Sequence, residues 1–131
     1  MKQYLLDTDI CVYFIKGLHD LKSKFKQVGP EHCFISEITL AELKFGVAHS
    51  QHQEKNQKAL DNFLSGIQIL PIYPVLDVYA SEKSRLRKSG KTVDDFDLLI
   101  GSTSVVFNLI MVTNNTRHFQ PILELRLENW I

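Results

Sequence analysis

Short, mostly apolar runs alternate along this chain with longer stretches of helical periodicity, and each run ends on a polar residue or a proline. Runs of this length, apolar at nearly every position, suit strands buried on both faces of a parallel sheet. The pattern predicts strands at about Gln3 to Leu6, Cys33 to Ser36, Ile67 to Leu70 and Leu109 to Val112, with an edge strand at about Leu125 to Glu128. Helices are expected at Asp9 to Ile15, Asp20 to Val28, Thr39 to Ala48, Glu54 to Ser65, Pro74 to Lys88 and Phe96 to Asn108, with a short turn from Thr116 to Phe119. Gly17, Gly29-Pro30 and Ser89-Gly90 supply the stops. Strands separated by helices imply parallel pairing through crossover connections. The expected architecture is one α/β domain over 1–131, a three-layer α/β/α sandwich with a mainly parallel sheet of about five strands.

Composition narrows the partners more than the fold. Of 131 residues, 44% are hydrophobic and 23% charged, which excludes disordered and collagen-like classes. Lys and Arg number 15 and Asp and Glu 15, so no global field attracts a polyanion, and local patches must hold one. Met1-Lys2-Gln3 leads directly into a strand without the apolar stretch of a signal peptide, and the expected location is the cytoplasm. The apolar stretch from Leu98 to Val112 is shorter than the roughly 20 residues a membrane span needs. Cys11 and Cys33 stand alone and read as small core residues. His49 and His52 have a spacing open to zinc, but no third ligand accompanies them.

The chemistry concentrates where strands end. Tyr4-Leu5-Leu6-Asp7-Thr8-Asp9 delivers two carboxylates to the carboxyl edge of a strand, the edge at which open parallel sheets bind ligands. Asp7 is the first candidate, while Asp9 reads more simply as the N-cap of the helix that follows. Glu42 on the helix after the second strand, Asp97 at the start of the helix before the fourth strand and Asn115 just after that strand all face the same end. Each has an ordinary alternative: Glu42 completes a capping box with Thr39, Asp97 complements a helix terminus, and Asn115 caps the turn at Thr116. Together with Asp7 they form a carboxylate cluster, which is costly in low dielectric unless a cation neutralises it. A hard divalent ion such as Mg²⁺ takes one or two protein carboxylates and keeps several waters, a combination suited to phosphodiester hydrolysis by a metal-bound water.

Four blocks carry a resemblance. Leu5-Leu6-Asp7-Thr8-Asp9-Ile10, Ile38-Thr39-Leu40-Ala41-Glu42-Leu43-x-x-Gly46, Asp97-Leu98-Leu99-Ile100-Gly101-Ser102-Thr103 and Val112-Thr113-Asn114-Asn115-Thr116-x-x-Phe119 resemble, in order and spacing, the blocks of PIN-domain ribonucleases, above all VapC-type toxins of toxin–antitoxin pairs. The closing Leu125 to Trp130 is similar to that group as well. The resemblance implies a Mg²⁺- or Mn²⁺-dependent endoribonuclease, held inactive by a cognate antitoxin and usually homodimeric. It places Asp7, Glu42 and Asp97 at the family's metal-binding, catalytic positions. Asp9 stands where many members have Asn, and Asn115 where others have a fourth Asp; an amide is a weaker ligand for a hard cation.

With RNA as the implied substrate, the densest basic run, Lys83 to Lys91 with Arg85, Arg87, Lys88 and Lys91, becomes a candidate for phosphate contact, as do Lys22, Lys24 and Lys26. A solvated helix face is the simpler explanation of either cluster. Thr8 and Thr113 are expected as supporting donors, to a phosphate, a metal-bound water or the backbone. Ile10 to Ile15 is apolar all round, hence buried or part of a protein interface. Two other readings remain: a haloacid-dehalogenase-type phosphatase with Asp7 as nucleophile, and a non-catalytic module that holds RNA or protein.

Overall fold

The computed structural model describes residues 2–131 and arranges them around five parallel strands. β1 (Tyr4–Leu6), β2 (Cys33–Ser36), β3 (Gln68–Leu70), β4 (Ile110–Val112) and β5 (Arg126–Glu128) lie in the spatial order β3-β2-β1-β4-β5. All pairings are parallel, as the alternation of apolar runs and helices predicts. The helices are α1 (Thr8–Ile15), α2 (Leu21–Val28), α3 (Glu37–Ala48), α4 (Gln53–Ser65), α5 (Leu76–Lys88), α6 (Asp95–Val106) and α7 (Thr116–Phe119).

Side chains of a strand point alternately to the two faces of its sheet; over β1, β2 and β4 both faces are covered, while the edge strands β3 and β5 are partly exposed, having a neighbour on one side only. Tyr4, Leu6, Cys33, Ile35, Ile110 and Val112 turn toward one core, where Ile10, Leu21, Leu43, Leu60 and Phe63 from α1 to α4 meet them. Leu5, Phe34 and Met111 turn toward the other, packed against Leu86, Leu98, Ile100 and Phe119 from α5, α6 and α7. Both cysteines are buried and free, as small core residues should be. Among the described residues no helix is long and apolar enough to cross a membrane.

Helix starts depart from the sequence pattern, and each departure matters for chemistry. α1 begins one residue earlier than expected, with Asp7 rather than Asp9 in the capping position; Thr8 N donates to Asp7 Oδ1 at 2.8 Å. α3 begins at Glu37 and is capped by Ser36, whose Oγ accepts from Thr39 N at 3.1 Å, so the Thr39–Glu42 capping box does not form. Pro74 sits in a single 3₁₀ turn, Tyr73–Val75, ahead of α5 rather than within it. Asp94 does cap α6, accepting from Phe96 N at 3.2 Å. An early hydroxyl or carboxylate outcompetes a later one because the cap must have extended backbone, which Asp7 and Ser36 have.

α7 is only four residues long and is held by one anchor, Phe119, at 1% exposure in the second core. Phe119→Ala should destabilise the protein by about 3–5 kcal/mol, the usual cost of truncating a buried aromatic. Urea denaturation followed by circular dichroism measures this; a loss below about 1 kcal/mol would mean that α7 does not depend on this anchor.

Candidate active site

The sheet order reverses between β1 and β4: the chain runs outward from β1 through β2 to β3, then returns to β4 on the other side of β1. Loops leaving two such neighbouring strands diverge and leave a crevice at the carboxyl end of the sheet. Asp7 follows β1 and Thr113 follows β4, and the ladder continues into both, with Asp7 N donating to Val112 O at 2.9 Å and Thr113 N to Glu128 O at 3.1 Å. Across the crevice Thr113 Oγ1 donates to Asp7 Oδ2 at 2.8 Å. Asp7 is 5% exposed, with one carboxylate oxygen on the α1 backbone and the other on Thr113.

The neighbouring residues come from separate elements. Glu42 on α3 accepts from Thr8 Oγ1 at 2.6 Å, and Thr39 Oγ1 lies 3.1 Å from the same hydroxyl. Thr8 and Thr113 therefore orient carboxylates, and Thr113 Oγ1 also makes the expected backbone bond, accepting from Asn115 N. Asp9 lies inside the first turn of α1, where it accepts from Ile10 N at 2.7 Å and from Asn114 N at 3.0 Å. It ties the loop after β4 to α1 instead of capping the helix. Asp97, in the first turn of α6, is half-buried beside this group.

Electrostatics show how close the group is. Burial pushes the Asp7 carboxyl up to about 7, the charge of Asp9 pushes the same way, and the hydrogen bonds from Thr113 and the Thr8 backbone only partly offset them. The charge of Asp97 reaches Asp7 as well. Asp9 is raised, chiefly by burial, despite its two backbone donors. Asp97 is raised by burial and by Asp94, Glu42 and Asp9, against a lowering contribution from His118. Asp7, Asp9, Glu42 and Asp97 thus form one repelling set. It is an open set: among the described residues no three His, Cys, Asp or Glu side chains converge closely enough to enclose an ion on their own.

Around this centre the other candidate residues divide between the rim and the scaffold. Asn115 occupies the capping position of α7 but its side chain makes no cap bond; its backbone N–H donates to Thr113 Oγ1 at 3.0 Å. Its amide is exposed at the rim beside Thr113. Arg85 is engaged within the protein, its guanidinium making two bonds to Glu82, at 2.7 and 2.8 Å, and one to Pro121 O at 2.7 Å. Arg87, Lys88 and Lys91 are exposed. Lys24 lies over the Trp130 ring, 5.7 Å from its centroid. His49 stacks on Phe45 at 5.4 Å. In the stretch Ile10 to Ile15, Ile10 and Cys11 are buried while Val12 to Ile15 are only partly so, with Val12, Phe14 and Ile15 lining hollows against α2, α3 and α4 and Tyr13 packed on His19. The residues missed in the sequence are Arg117 and His118, which share a cavity with Asp97. Their signal is a basic pair two positions past Asn115, which charge density alone ranks below the run at Lys83 to Lys91.

The chain is similar to known proteins over nearly its whole length. The PIN domain family matches residues 4–122. A Haemophilus influenzae protein, ribonuclease VapC2, is 36% identical over 100% of both chains. A Shigella flexneri protein named tRNA(fMet)-specific endonuclease VapC is 33% identical over 99% of each. The crystal structure of VapBC2 from Rickettsia felis bound to a DNA fragment from their promoter contains a chain that superposes with a TM-score of 0.91, at 36% identity over 98% of both chains. These matches leave no place for the haloacid-dehalogenase-type reading. By the span of the family match and by full-length relatives above 30% identity, the chain belongs to the PIN-domain family, among its VapC ribonucleases.

Proposed function

We propose that this chain is a metal-dependent endoribonuclease that hydrolyses RNA phosphodiester bonds with Asp7, Glu42 and Asp97, and that a cognate antitoxin holds it inactive. The observation that carries the reading is the buried Asp7 carboxylate, driven up to about 7 by its surroundings and adjoined by Asp9, Glu42 and Asp97 with no lysine or arginine paired to any of them among the described residues. Carboxylates placed this way are stabilised by a cation, and an all-oxygen donor set of carboxylates, hydroxyls and an amide suits Mg²⁺ or Mn²⁺. An open set fits too, since Mg²⁺ keeps several waters.

Asp7, Asp97 and Glu42 would hold the ion, with Asn115 a weaker fourth donor at the rim. Bound there, a divalent cation neutralises charge on a phosphoryl oxygen and makes water easier to deprotonate. The chain's own residues set the geometry. Thr113 and the Thr8 N–H fix both oxygens of Asp7, Thr8 Oγ1 orients Glu42, and Asp9 anchors the loop carrying Thr113 to Asn115. An amide at Asn115 leaves a second ion more weakly held than a fourth carboxylate would.

A cognate antitoxin is the partner expected of this reading, because the Rickettsia felis neighbour is a VapBC structure, and the family resemblance adds a homodimer. The name of the Shigella flexneri relative makes tRNA(fMet) the first substrate to test. Purified, partner-free protein incubated with this tRNA and with total RNA should cleave in Mg²⁺ and not in EDTA. RNA retention without cleavage would instead favour a non-catalytic binding module.

Asp7→Asn and Asp97→Asn should each abolish cleavage while leaving the circular dichroism spectrum unchanged; more than a small residual rate in either variant would remove that residue from the mechanism. Metal-free stability should depend on pH in a defined direction. A carboxyl raised in the folded state contributes stability that is fully present below its ordinary value near pH 4 and lost as pH rises through about 7. The melting temperature in EDTA should therefore fall between pH 5 and pH 8, Asp7→Asn should flatten that fall, and Mg²⁺ should raise the wild-type value at pH 8 by linkage. Calorimetry that finds a metal-free melting temperature rising over this range would contradict the burial of an uncompensated carboxylate. Finally, Asn115→Asp should tighten Mn²⁺ binding in an isothermal titration; unchanged or weaker affinity would place the amide outside the ligand set.

A further inference from the structure

Two hollows lie on the α5–α6–α7 side of the molecule, one of them beside Asp97. One, about 390 Å³, is lined by Asp97, Arg117 and His118; the other, about 230 Å³, by Arg87, Lys91 and Lys83. Thr92, Val93 and Asp94 line both, so the two hollows are neighbours and form a divided trough with Asp97 at one end.

The charges along this trough do not cancel. Asp94 caps α6 and keeps its charge, which bears on Asp97. Asp95 accepts from Lys83 Nζ and from Tyr79 Oη, each at 2.8 Å, which removes Lys83 along with it. Arg87, Lys91, Arg117 and His118 remain, in no ion pair among the described residues. The charge of His118 is felt at Asp97 and that of Arg87 at Asp95, so both groups bear on the trough. Arg117 and His118 are also well placed in the fold. Phe119 beside them is anchored in the core, His118 N donates to Asn115 O at 3.0 Å, and Asn115 N is bonded to the threonine that holds Asp7.

We propose that this trough is the path of the RNA backbone, with Arg117 and His118 binding the phosphate next to the cleaved one and Arg87 and Lys91 binding those beyond. The proposal rests on the nuclease reading and extends it to named substrate contacts. A chain of zero net charge has no long-range attraction for RNA, and its acidic centre repels it. A polyanion must therefore meet cations as it leaves the site, and this rim supplies them along one path.

The test uses a fluorescein-labelled single-stranded oligoribonucleotide in EDTA, with binding followed by anisotropy from low to moderate NaCl. For single strands the slope of log K against log salt becomes shallower by about 0.7 for each phosphate that is no longer neutralised. Arg117→Gln/His118→Gln and Arg87→Gln/Lys91→Gln should each flatten the slope by at least that much. Lys55→Gln/Lys58→Gln, on α4 across the sheet, should leave it at the wild-type value. In Mg²⁺, the Arg87→Gln/Lys91→Gln pair should raise KM more than it lowers kcat, and shortening the oligonucleotide on one side of the cut should erase the difference. Wild-type slopes in both trough variants would overturn the proposal even if the protein cleaves RNA, leaving the trough as a face for an acidic protein segment. Absence of cleavage by wild type would instead overturn the nuclease reading, while the slopes would still report on the trough.

Discussion

Everything at the functional end of this protein is arranged around one buried carboxylate. Asp7 is held where β1 ends, sandwiched between the N-terminus of α1 and the hydroxyl of Thr113, which is 106 residues away in sequence. A carboxylate at 5% exposure with no cationic partner among the described residues is expensive to keep charged. Two hydrogen bonds are insufficient to restore its ordinary ionisation, and the neighbouring acids make the position worse. The fold tolerates this because β1 is the central strand, fixed on both sides by β2 and β4, and its apolar residues are buried in both cores. Stability supplied by the sheet interior is what permits electrostatic strain at its edge.

The hydroxyls and the second aspartate serve the same centre indirectly. Thr8 turns from the start of α1 to Glu42, and Thr113 turns from the end of β4 to Asp7, so two acids from different elements are oriented by the termini of two adjacent strands. Asp9 commits both oxygens to backbone donors, one within α1 and one at Asn114. Its placement links the β4 loop, and through it Asn115, Arg117 and His118, to the same helix that Asp7 caps. A change at any of these bonds would therefore move ligands and rim cations together.

Neutral overall charge makes the distribution of charge decisive. Three acids near the cluster and the basic run are engaged locally, Asp94 by a helix cap, Asp95 by Lys83 and Glu82 by Arg85. The basic run on α5 is consequently less uniform than its sequence suggests: one arginine staples α5 to the segment before β5, while others face a trough open to solvent. Short range is enough for recognition here, since solvent-exposed charges act over roughly 10 Å at moderate salt.

The sequence by itself determined the order of strands and helices, the parallel sheet and the choice of Asp7, Glu42 and Asp97 as candidate acids. Apolar runs of strand length, helical periodicity and glycine stops are local signals, and the motif spacing preserves them. Which polar groups cap which helix was decided only by the tertiary structure: Asp9 and Thr39 looked like caps, yet Asp7 and Ser36 have the extended backbone that capping needs. The partners of Thr8 and Thr113, the loss of Arg85 to Glu82 and the approach of His118 to Asp97 were equally out of reach. Each depends on where side chains from distant segments point once the sheet has brought its strand ends together. Hydrogen bonding and charge–charge interaction act over a few ångströms in space, whatever the separation along the chain.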